Sequence, residues 1–214
     1  MQRIAVIDYG MGNLHSVSKA VEHVAPDDEV IVTDDEDIIR AADRIVCPGQ
    51  GAAADCMAAI NEHDLATLLK DIVATRPFLG ICMGYQVLFD HSDENGGVAC
   101  LGIVPGTVER FANPLMTEGG ERLKVPHMGW SEVDQARQHP LWQGIVDKSR
   151  FYFAHSYYCL PEQSSVVSGY CDYGNKIAVS IAQGSIFACQ FHPEKSADNG
   201  LRLLRNFVQW NGVV

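Results

Sequence analysis

The chain has 214 residues, of which 47% are hydrophobic and 20% are charged. These values are typical of a folded globular protein, and the length suits one core, so we predict a single domain over residues 1–214. The net charge of −11 opposes contact with nucleic-acid phosphates, and no apolar run is long enough for a membrane span or a secretion signal. We therefore expect a cytoplasmic protein that binds neither nucleic acid nor membranes.

The first predicted strand is the apolar run 4–8, and the glycine-rich turn 10–13 follows it. Apolar residues at helical spacing come next, so this part of the sequence is a β-turn-α unit. The turn suggests a dinucleotide-binding fingerprint, but His15 stands where the third glycine would be. The pattern therefore favours a tight turn in which Asn13 caps the following helix.

Strand-like runs and helical patterns alternate up to about residue 82, and the acidic stretch 34–37 between two of them is typical of a solvated turn. From about residue 98 the runs are separated by glycine and proline, and a closing helix is predicted at about 197–210. We therefore predict an α/β fold with a doubly wound, mostly parallel sheet and an antiparallel or mixed extension in the C-terminal half. The other predicted strands are 29–33, 43–47, 78–82, 101–104, 106–111, 124–125, 150–158, 166–171, 176–182 and 185–191, and the other predicted helices are about 52–62 and 64–74.

The sequence GICMG at 80–84 has the form of a nucleophile elbow, in which glycines on both sides let a strand turn sharply into a helix. Cys82 at its centre is the candidate nucleophile. A thiol at a helix N-terminus ionises more readily, and a neighbouring imidazole adds to this effect. The other cysteines are scattered without CxxC or zinc-type spacing, so we expect reduced packing residues, no metal and no cofactor.

The triplet His192-Pro193-Glu194 supplies the candidate base and its orienting carboxylate. Alternate side chains of an extended segment point the same way, so Glu194 can hold the second ring nitrogen of His192. This is the relay of nucleophile, base and carboxylate that nucleophilic catalysis requires.

A tetrahedral intermediate also needs hydrogen-bond donors for its oxyanion. The Met83 N–H, directly after the nucleophile, is one candidate. The loop PGQG at 48–51 follows a strand-like run, and the amide between Gly49 and Gln50 is the second candidate.

Each motif alone has a structural explanation. A cysteine in a tight strand-helix turn is often only a small packing residue, and a histidine at a strand end is often structural or half of a metal site. The three motifs together, each preceded by a strand-like run, favour catalysis.

Three motifs, PGxG at 48–51, GxCxGxQ at 80–86 and HPE at 192–194, resemble those of the class I, triad-type glutamine amidotransferases, which have a flavodoxin-like fold. The resemblance implies glutamine hydrolysis through a γ-glutamyl thioester on Cys82. It further implies that the α-amino and carboxylate groups of glutamine are bound by these residues: Gly51, Gln86, Glu94, His155, Ser156 and Tyr157.

More specific segments are DYGMGNL at 8–14, PHMGW at 126–130 and FYFAHSYY at 151–158. With them, nearly the whole chain is similar to the glutaminase subunits of imidazole glycerol phosphate synthase. This resemblance implies a heterodimer with a (β/α)₈-barrel cyclase, which uses the channelled ammonia to make imidazole glycerol phosphate and an aminoimidazole carboxamide ribotide in histidine biosynthesis. The implied contacts with the cyclase are Asn13, His127, Met128, Gly129 and Trp130.

Two positions depart from the usual pattern of that family. Gln50 stands where valine is usual, although its backbone amide is retained, and Ser131 stands where asparagine usually follows the HMGW motif. Without the resemblance, Trp130 would be assigned to packing on its own sheet, with His127 as a satisfied neighbour.

Other functions also fit the triad motifs. The chain could serve another synthase, such as that of pyridoxal phosphate, or act alone as a γ-glutamyl hydrolase. A non-enzymatic module on the same fold is a third hypothesis, although such modules commonly lack the HPE pair that is present here.

Overall fold

The structure, a computed structural model, describes residues 1–213. Within them, strands form one 12-stranded sheet and two separate two-stranded sheets. The strands are β1 (Arg3–Ile7), β2 (Glu29–Thr33), β3 (Arg44–Gly49), β4 (Phe78–Cys82), β5 (His91–Ser92), β6 (Val98–Ala99), β7 (Gly106–Arg110), β8 (Leu115–Met116), β9 (Arg122–Leu123), β10 (His127–Glu132), β11 (Asp134–Gln135), β12 (Arg150–His155), β13 (Tyr157–Pro161), β14 (Val167–Tyr173), β15 (Asn175–Gln183) and β16 (Ile186–Cys189). The helices are α1 (Leu14–Val24), α2 (Glu36–Ala41), α3 (Ala53–Glu62), α4 (Leu65–Ile72), α5 (Met83–Gln86) and α6 (Ala197–Gln209).

The first half of the large sheet is parallel, in the order β2-β1-β3-β4-β16. Strand β16 comes from the end of the chain and pairs with β4, so the predicted change of character near residue 98 is not a boundary in space. Because the carboxyl ends of parallel strands share one edge, the segments after β3, β4 and β16 meet there.

The second half continues from β16 through β15, β13 and β7, and these neighbours are antiparallel. The predicted α/β fold with an antiparallel or mixed extension is therefore confirmed. Strands β10 and β12 stand outside the large sheet as an antiparallel pair of their own.

Helices cover both faces of the parallel half, because successive residues of β1 point to opposite sides. Ile4 and Val6 pack in one buried cluster with residues of α1 and α6. Ala5 and Ile7 pack in the other cluster with residues of α2, α3 and α4. The sheet is thus doubly wound, as predicted.

The acidic stretch 34–37 is exposed, as predicted, but it begins a helix and does not form a turn. The Asp35 side chain accepts hydrogen bonds from the backbone N–H groups of Asp37 and Ile38, at 2.9 and 3.1 Å, and starts helix α2. Acidic side chains in the first helical turn also complement the helix dipole.

Two predicted strands are absent from the described residues. The run 101–104 turns back, and Leu101 and Val104 donate their N–H groups to the carbonyls of Val87 and Leu88. The predicted strand 124–125 is displaced to Arg122–Leu123, where β9 pairs with β8.

Across residues 1–213, no helix is long and apolar enough to cross a membrane. No group of three or more histidine, cysteine or acidic side chains in this range could hold a metal ion. All seven cysteines are free, and six of them are buried. Burial raises the pKa of Cys47 and of Cys56 to about 12, so these thiols stay protonated.

Candidate active site

Cys82 lies at the end of β4, in the backbone conformation φ 55°, ψ −107°. Positive φ is costly for a residue with a side chain, and strain of this kind is typical of functional turns. The flanking glycines are required, because a Cβ on Gly80 would collide with the Gly84 carbonyl and a Cβ on Gly84 would collide with the Cys47 carbonyl. The predicted elbow is confirmed in its geometry.

His192 and Glu194 follow β16 and form the predicted pair. His192 Nδ1 lies 2.9 Å from Glu194 Oε1, and the two side chains are 3% and 1% exposed. The His192 backbone N–H donates to the Tyr152 carbonyl at 2.9 Å, which holds this segment in place. The other ring nitrogen is therefore left for Cys82, with which His192 lines the same cavity.

The electrostatic surroundings favour the protonated form of His192. Burial lowers the pKa of this imidazole, but hydrogen bonds to Cys82 and Glu194, and the charges of both groups, outweigh burial and raise the pKa to about 10. The sulfur and the carboxylate together stabilise the imidazolium form of His192.

Gln190 is a site residue that the sequence analysis missed. Its Nε2 lies 3.7 Å from Cys82 Sγ, and its Oε1 accepts a hydrogen bond from Gln86 Nε2 at 2.8 Å. Gln190 stands two residues before His192, so strand alternation indicated that both side chains point the same way.

The register between β3 and β4 determines which backbone groups face the nucleophile. In a parallel pair, every second residue of a strand bonds to the neighbouring strand. Its backbone N–H donates to the carbonyl of the residue before its register partner, and its carbonyl accepts from the N–H of the residue after that partner. The Ile45 N–H donates to the Pro77 carbonyl at 3.0 Å, so the odd residues of β3 bond to β4. The last pair in this register is Gly49 with Cys82. It therefore places the Gly49 carbonyl opposite the Met83 N–H.

The oxyanion donors predicted from the sequence are thus not both free. The N–H and C=O of a trans peptide point in opposite directions, so the Gln50 N–H is directed away from the elbow. The Met83 N–H faces the Gly49 carbonyl instead of an open site. Rotation of the single peptide between Gly49 and Gln50 would release Met83 and present the second N–H.

The peptide groups before and after the Gly49–Gln50 peptide are held by hydrogen bonds to side chains. The buried Tyr9 hydroxyl donates to the Pro48 carbonyl at 2.7 Å, and Cys56 Sγ donates to the Gln50 carbonyl at 3.5 Å. Tyr9 also explains the glycine at position 49, because a Cβ there would collide with its hydroxyl. Any rotation is therefore confined to one peptide.

A cavity of about 400 Å³ opens above the sulfur. Gln86 lines this cavity, and its buried Oε1 has no hydrogen-bond partner among the described residues. Glu94 places its carboxylate at this cavity, and its Oε2 accepts the Ala53 N–H of α3 at 2.6 Å. These acceptors fit an ammonium group. The cavity is lined by Gln50, Gly51, Cys82, Met83, Gln86, Glu94, Pro126, Met128, Ala154, His155, Ser156, Tyr157, His192 and Lys195.

All six residues predicted to bind substrate line this cavity, but His155 does so with its ring nitrogens occupied. Its Nδ1 lies 2.7 Å from the Tyr157 carbonyl, and its Nε2 lies 2.9 Å from His127 Nδ1. The His155 side chain therefore has no free nitrogen for a ligand.

The HMGW segment forms most of strand β10, and its side chains alternate between inside and outside. Met128 and Trp130 are 65% and 50% exposed, and Gly129 between them has a φ of 135°. His127 is only 2% exposed, which corrects its predicted place on a partner-facing surface. Strand alternation turns it inward, where it stacks on Phe153 at 4.6 Å.

Asn13 is half-buried, and its Oδ1 accepts the Ser16 N–H at 3.4 Å. The predicted helix cap is therefore confirmed. Gly12 packs its backbone against Gly49, since a Cβ on Gly12 would lie 3.4 Å from Gly49 Cα. The glycine-rich turn thus packs on the end of β3.

A strained cysteine that lines the same cavity as a hydrogen-bonded imidazole-carboxylate pair, at the carboxyl edge of a doubly wound sheet, is the arrangement of a cysteine-triad hydrolase. The chain belongs to the class I glutamine amidotransferase family, because the model of the family "Glutamine amidotransferase class-I" matches residues 5–210.

Curated relatives are similar over nearly the whole chain. The "Imidazole glycerol phosphate synthase subunit HisH" of Thiobacillus denitrificans is 55% identical over 97% of this chain and 91% of its own. The protein of the same description from Pseudomonas putida is 55% identical over 99% of both chains. A crystal structure described as a glutamine amidotransferase has a TM-score of 0.72 at 18% identity, covering 98% of this chain and 99% of its own, and so supports the fold.

Proposed function

We propose that this chain is the glutaminase subunit of imidazole glycerol phosphate synthase. It hydrolyses glutamine to glutamate and ammonia, and the ammonia passes to a cyclase subunit that uses it in histidine biosynthesis. The observation that carries this proposal is 55% identity, along nearly all of both chains, to proteins described as HisH. The contacts of Cys82, His192 and Glu194 support the same reaction.

In the first half of the reaction, the Cys82 sulfur attacks the side-chain amide carbon of glutamine. His192, which carries the proton at rest, gives it to the leaving nitrogen, so that ammonia departs and a γ-glutamyl thioester remains on the sulfur. Glu194 keeps the ring oriented and stabilises its charge. Gln190 donates a hydrogen bond to the sulfur.

In the second half, His192 activates a water that attacks the thioester, and glutamate leaves with the sulfur restored. Both tetrahedral intermediates carry an oxyanion, which the N–H groups of Met83 and Gln50 stabilise after the Gly49–Gln50 peptide has rotated. One such donor is worth roughly 10²- to 10³-fold in rate. The resting register therefore keeps the isolated chain slow.

The glutamine backbone groups occupy the cavity above the sulfur. Glu94 and Gln86 Oε1 accept from the α-ammonium group, while Gly51 and the segment 155–157 bind the α-carboxylate and the chain. Because the His155 nitrogens are engaged internally, this segment contributes through Ser156 and Tyr157.

The partner is a (β/α)₈-barrel cyclase, and the two subunits form a cytoplasmic heterodimer. The exposed side chains of Met128 and Trp130 anchor this contact, because large apolar side chains dominate interfaces. Gly129 and the half-buried Asn13 lie on the same contact. Ammonia crosses the interface without release into solvent.

The test is glutamine turnover by the chain alone, with the cyclase, and with the cyclase and its nucleotide substrate. We expect turnover to rise on the order of 10²-fold or more between the first and last conditions, as oxyanion donors are formed. Full turnover by the chain alone would contradict the proposal. Activation by the pyridoxal phosphate synthase partner, and not by the cyclase, would assign the chain to that pathway.

A further inference from the structure

A continuous chain of hydrogen bonds joins strand β10 to the glutamine cavity. Ser131 Oγ lies 2.8 Å from His127 Nε2, and His127 Nδ1 lies 2.9 Å from His155 Nε2. His155 Nδ1 then lies 2.7 Å from the Tyr157 carbonyl. The two histidines face each other because they are directly opposite in the β10–β12 register.

The direction of every proton in this chain is fixed by its last member. The Tyr157 carbonyl can only accept, so His155 Nδ1 carries a hydrogen and, in the neutral ring, its Nε2 is an acceptor. His127 must then donate from Nδ1 and accept at Nε2, which makes Ser131 the donor. One tautomer of each ring satisfies all three contacts.

Both rings stay neutral in this arrangement. Burial lowers the pKa of His127 to about 4. Burial, together with the charges of His127 and His192, lowers the pKa of His155 to about 3, against the opposing effect of the Tyr157 carbonyl. A neutral His155 does not repel the imidazolium of His192 across the cavity.

The chain continues to the nucleophile through two amides. Gln86 Nε2 donates to the Tyr157 carbonyl at 3.3 Å and to Gln190 Oε1 at 2.8 Å. Gln190 Nε2 in turn donates to Cys82 Sγ. A single carbonyl, that of Tyr157, therefore receives hydrogen bonds from the histidine pair and from an amide of the catalytic site.

We propose that His127 and Ser131 are positioning residues for glutamine, which hold His155 and the Tyr157 carbonyl in the geometry that the substrate requires. This inference rests on the proposed glutaminase function and deepens it. It also gives strand β10 two roles, because Met128 and Trp130 are exposed while His127 and Ser131 lie on the more buried face of the strand. A partner that presses on this strand acts on the same backbone that carries the two positioning side chains.

The test uses the complex with the cyclase and its nucleotide substrate, and measures KM for glutamine and kcat separately. His127→Phe keeps the stacking on Tyr173 and Phe153 but removes the donor to His155. Loss of a buried hydrogen bond predicts a rise in KM of about tenfold, with kcat changed by less than about threefold. A merely structural role would reduce the amount of active enzyme and leave KM unchanged.

A second pair of variants changes Ser131, the member of the hydrogen-bond series nearest the surface, where a substitution is less disruptive to folding. Ser131→Ala removes the donor to His127 Nε2 and is expected to raise KM about threefold, whereas Ser131→Asn keeps an N–H donor and restores KM to within about twofold of the original. The matched control is His139→Phe. His139 is a buried histidine that packs on Phe187 and Trp210, outside the series of hydrogen bonds from Ser131 to Tyr157. The control variant should lower thermal stability without changing KM.

The two proposals fail in different ways. An original complex that does not hydrolyse glutamine overturns the proposed function. An active original complex in which His127→Phe and Ser131→Ala leave KM unchanged overturns the positioning role alone. Nitrogen-15 NMR of the histidine rings gives a readout independent of activity: hydrogen on Nδ1 of both rings supports the inference, and hydrogen on Nε2 of His127 contradicts it.

Discussion

Two buried imidazoles, His192 and His155, line the same cavity, each forms part of one wall, and the two are in opposite charge states. On one wall, His192 contacts a sulfur and a carboxylate, and its pKa is raised to about 10. On the other wall, His155 contacts a neutral imidazole and a carbonyl, and its pKa is lowered to about 3. Burial lowers the pKa in both places, so the chemistry of the partners decides the charge.

The difference assigns a separate task to each wall. The charged wall moves protons and forms the covalent bond, whereas the neutral wall orders donors and acceptors around the substrate. Placing a second cation at His155 would oppose the imidazolium that the reaction needs.

Cys82→Ala removes the nucleophile from the charged wall. We expect glutaminase activity of the complex to fall by at least about 10⁴-fold, because the thioester can no longer form. The cyclase reaction with added ammonium salt should continue at its original rate, which serves as the control for folding and assembly. Loss of the ammonia-dependent reaction as well would mean that Cys82 has a structural role.

Glu194→Gln keeps the shape of the charged wall but removes the charge that stabilises the imidazolium. The pKa of His192 should fall towards its ordinary value, and kcat should fall by about 10²- to 10⁴-fold. The measurement is a pH profile of kcat together with an NMR titration of the ring. An unchanged ring titration would show that the carboxylate does not set the charge of His192.

The two walls should also respond to pH in opposite directions. His127 takes up a proton near pH 6.5 in the unfolded chain but only near pH 4 when folded, so stability falls as the pH drops from 6.5 towards 4, by about 1.4 kcal/mol per pH unit. His192 has a raised pKa, so its contribution is complete below pH 6.5 and is lost as the pH rises towards 10.

His127→Phe should remove the contribution of His127 to the fall in the free energy of unfolding between pH 7 and pH 5. The measurement is urea unfolding at pH 7, 6 and 5. His15→Gln at an exposed position is the matched surface control. An acid slope that is the same in the original chain and in His127→Phe would contradict the neutral, buried state of this ring.

The smallest effect is expected at Gln50, which lines the same cavity. Gln50→Val restores the residue that is usual in this family while leaving the backbone amide in place. We expect glutaminase activity of the complex to change by less than about threefold, because a backbone N–H, not the side chain, is the donor in the mechanism. A change above tenfold would indicate that the side chain restrains the peptide rotation.

The sequence was sufficient where short-range rules apply. The elbow at Cys82 and the contact between His192 and Glu194 follow from glycine spacing and strand alternation, and the stripe of apolar residues predicted the last helix. The acidic stretch was misassigned because the cap at Asp35 and a solvated turn have the same composition, and only the following N–H groups distinguish them.

The remaining features depend on contacts between distant residues. His127 and His155 are 28 positions apart, and their pairing requires the β10–β12 register. The resting orientation of the Gly49 carbonyl likewise depends on its register with β4. No local pattern specifies which strands pair, so the family resemblance led us to place His127 on the partner-facing surface, whereas the alternative of a satisfied buried histidine fits the structure.

The most direct test of the account is to identify the residue that attacks glutamine. A diazoketone analogue of glutamine, which alkylates the nucleophile that binds it, is incubated with the complex, and the labelled peptide is found by mass spectrometry. We predict one label per chain, on Cys82, with loss of glutaminase activity in proportion to labelling and protection by glutamine. Inactivation with the label on another residue, while Cys82 remains unmodified, would contradict the account.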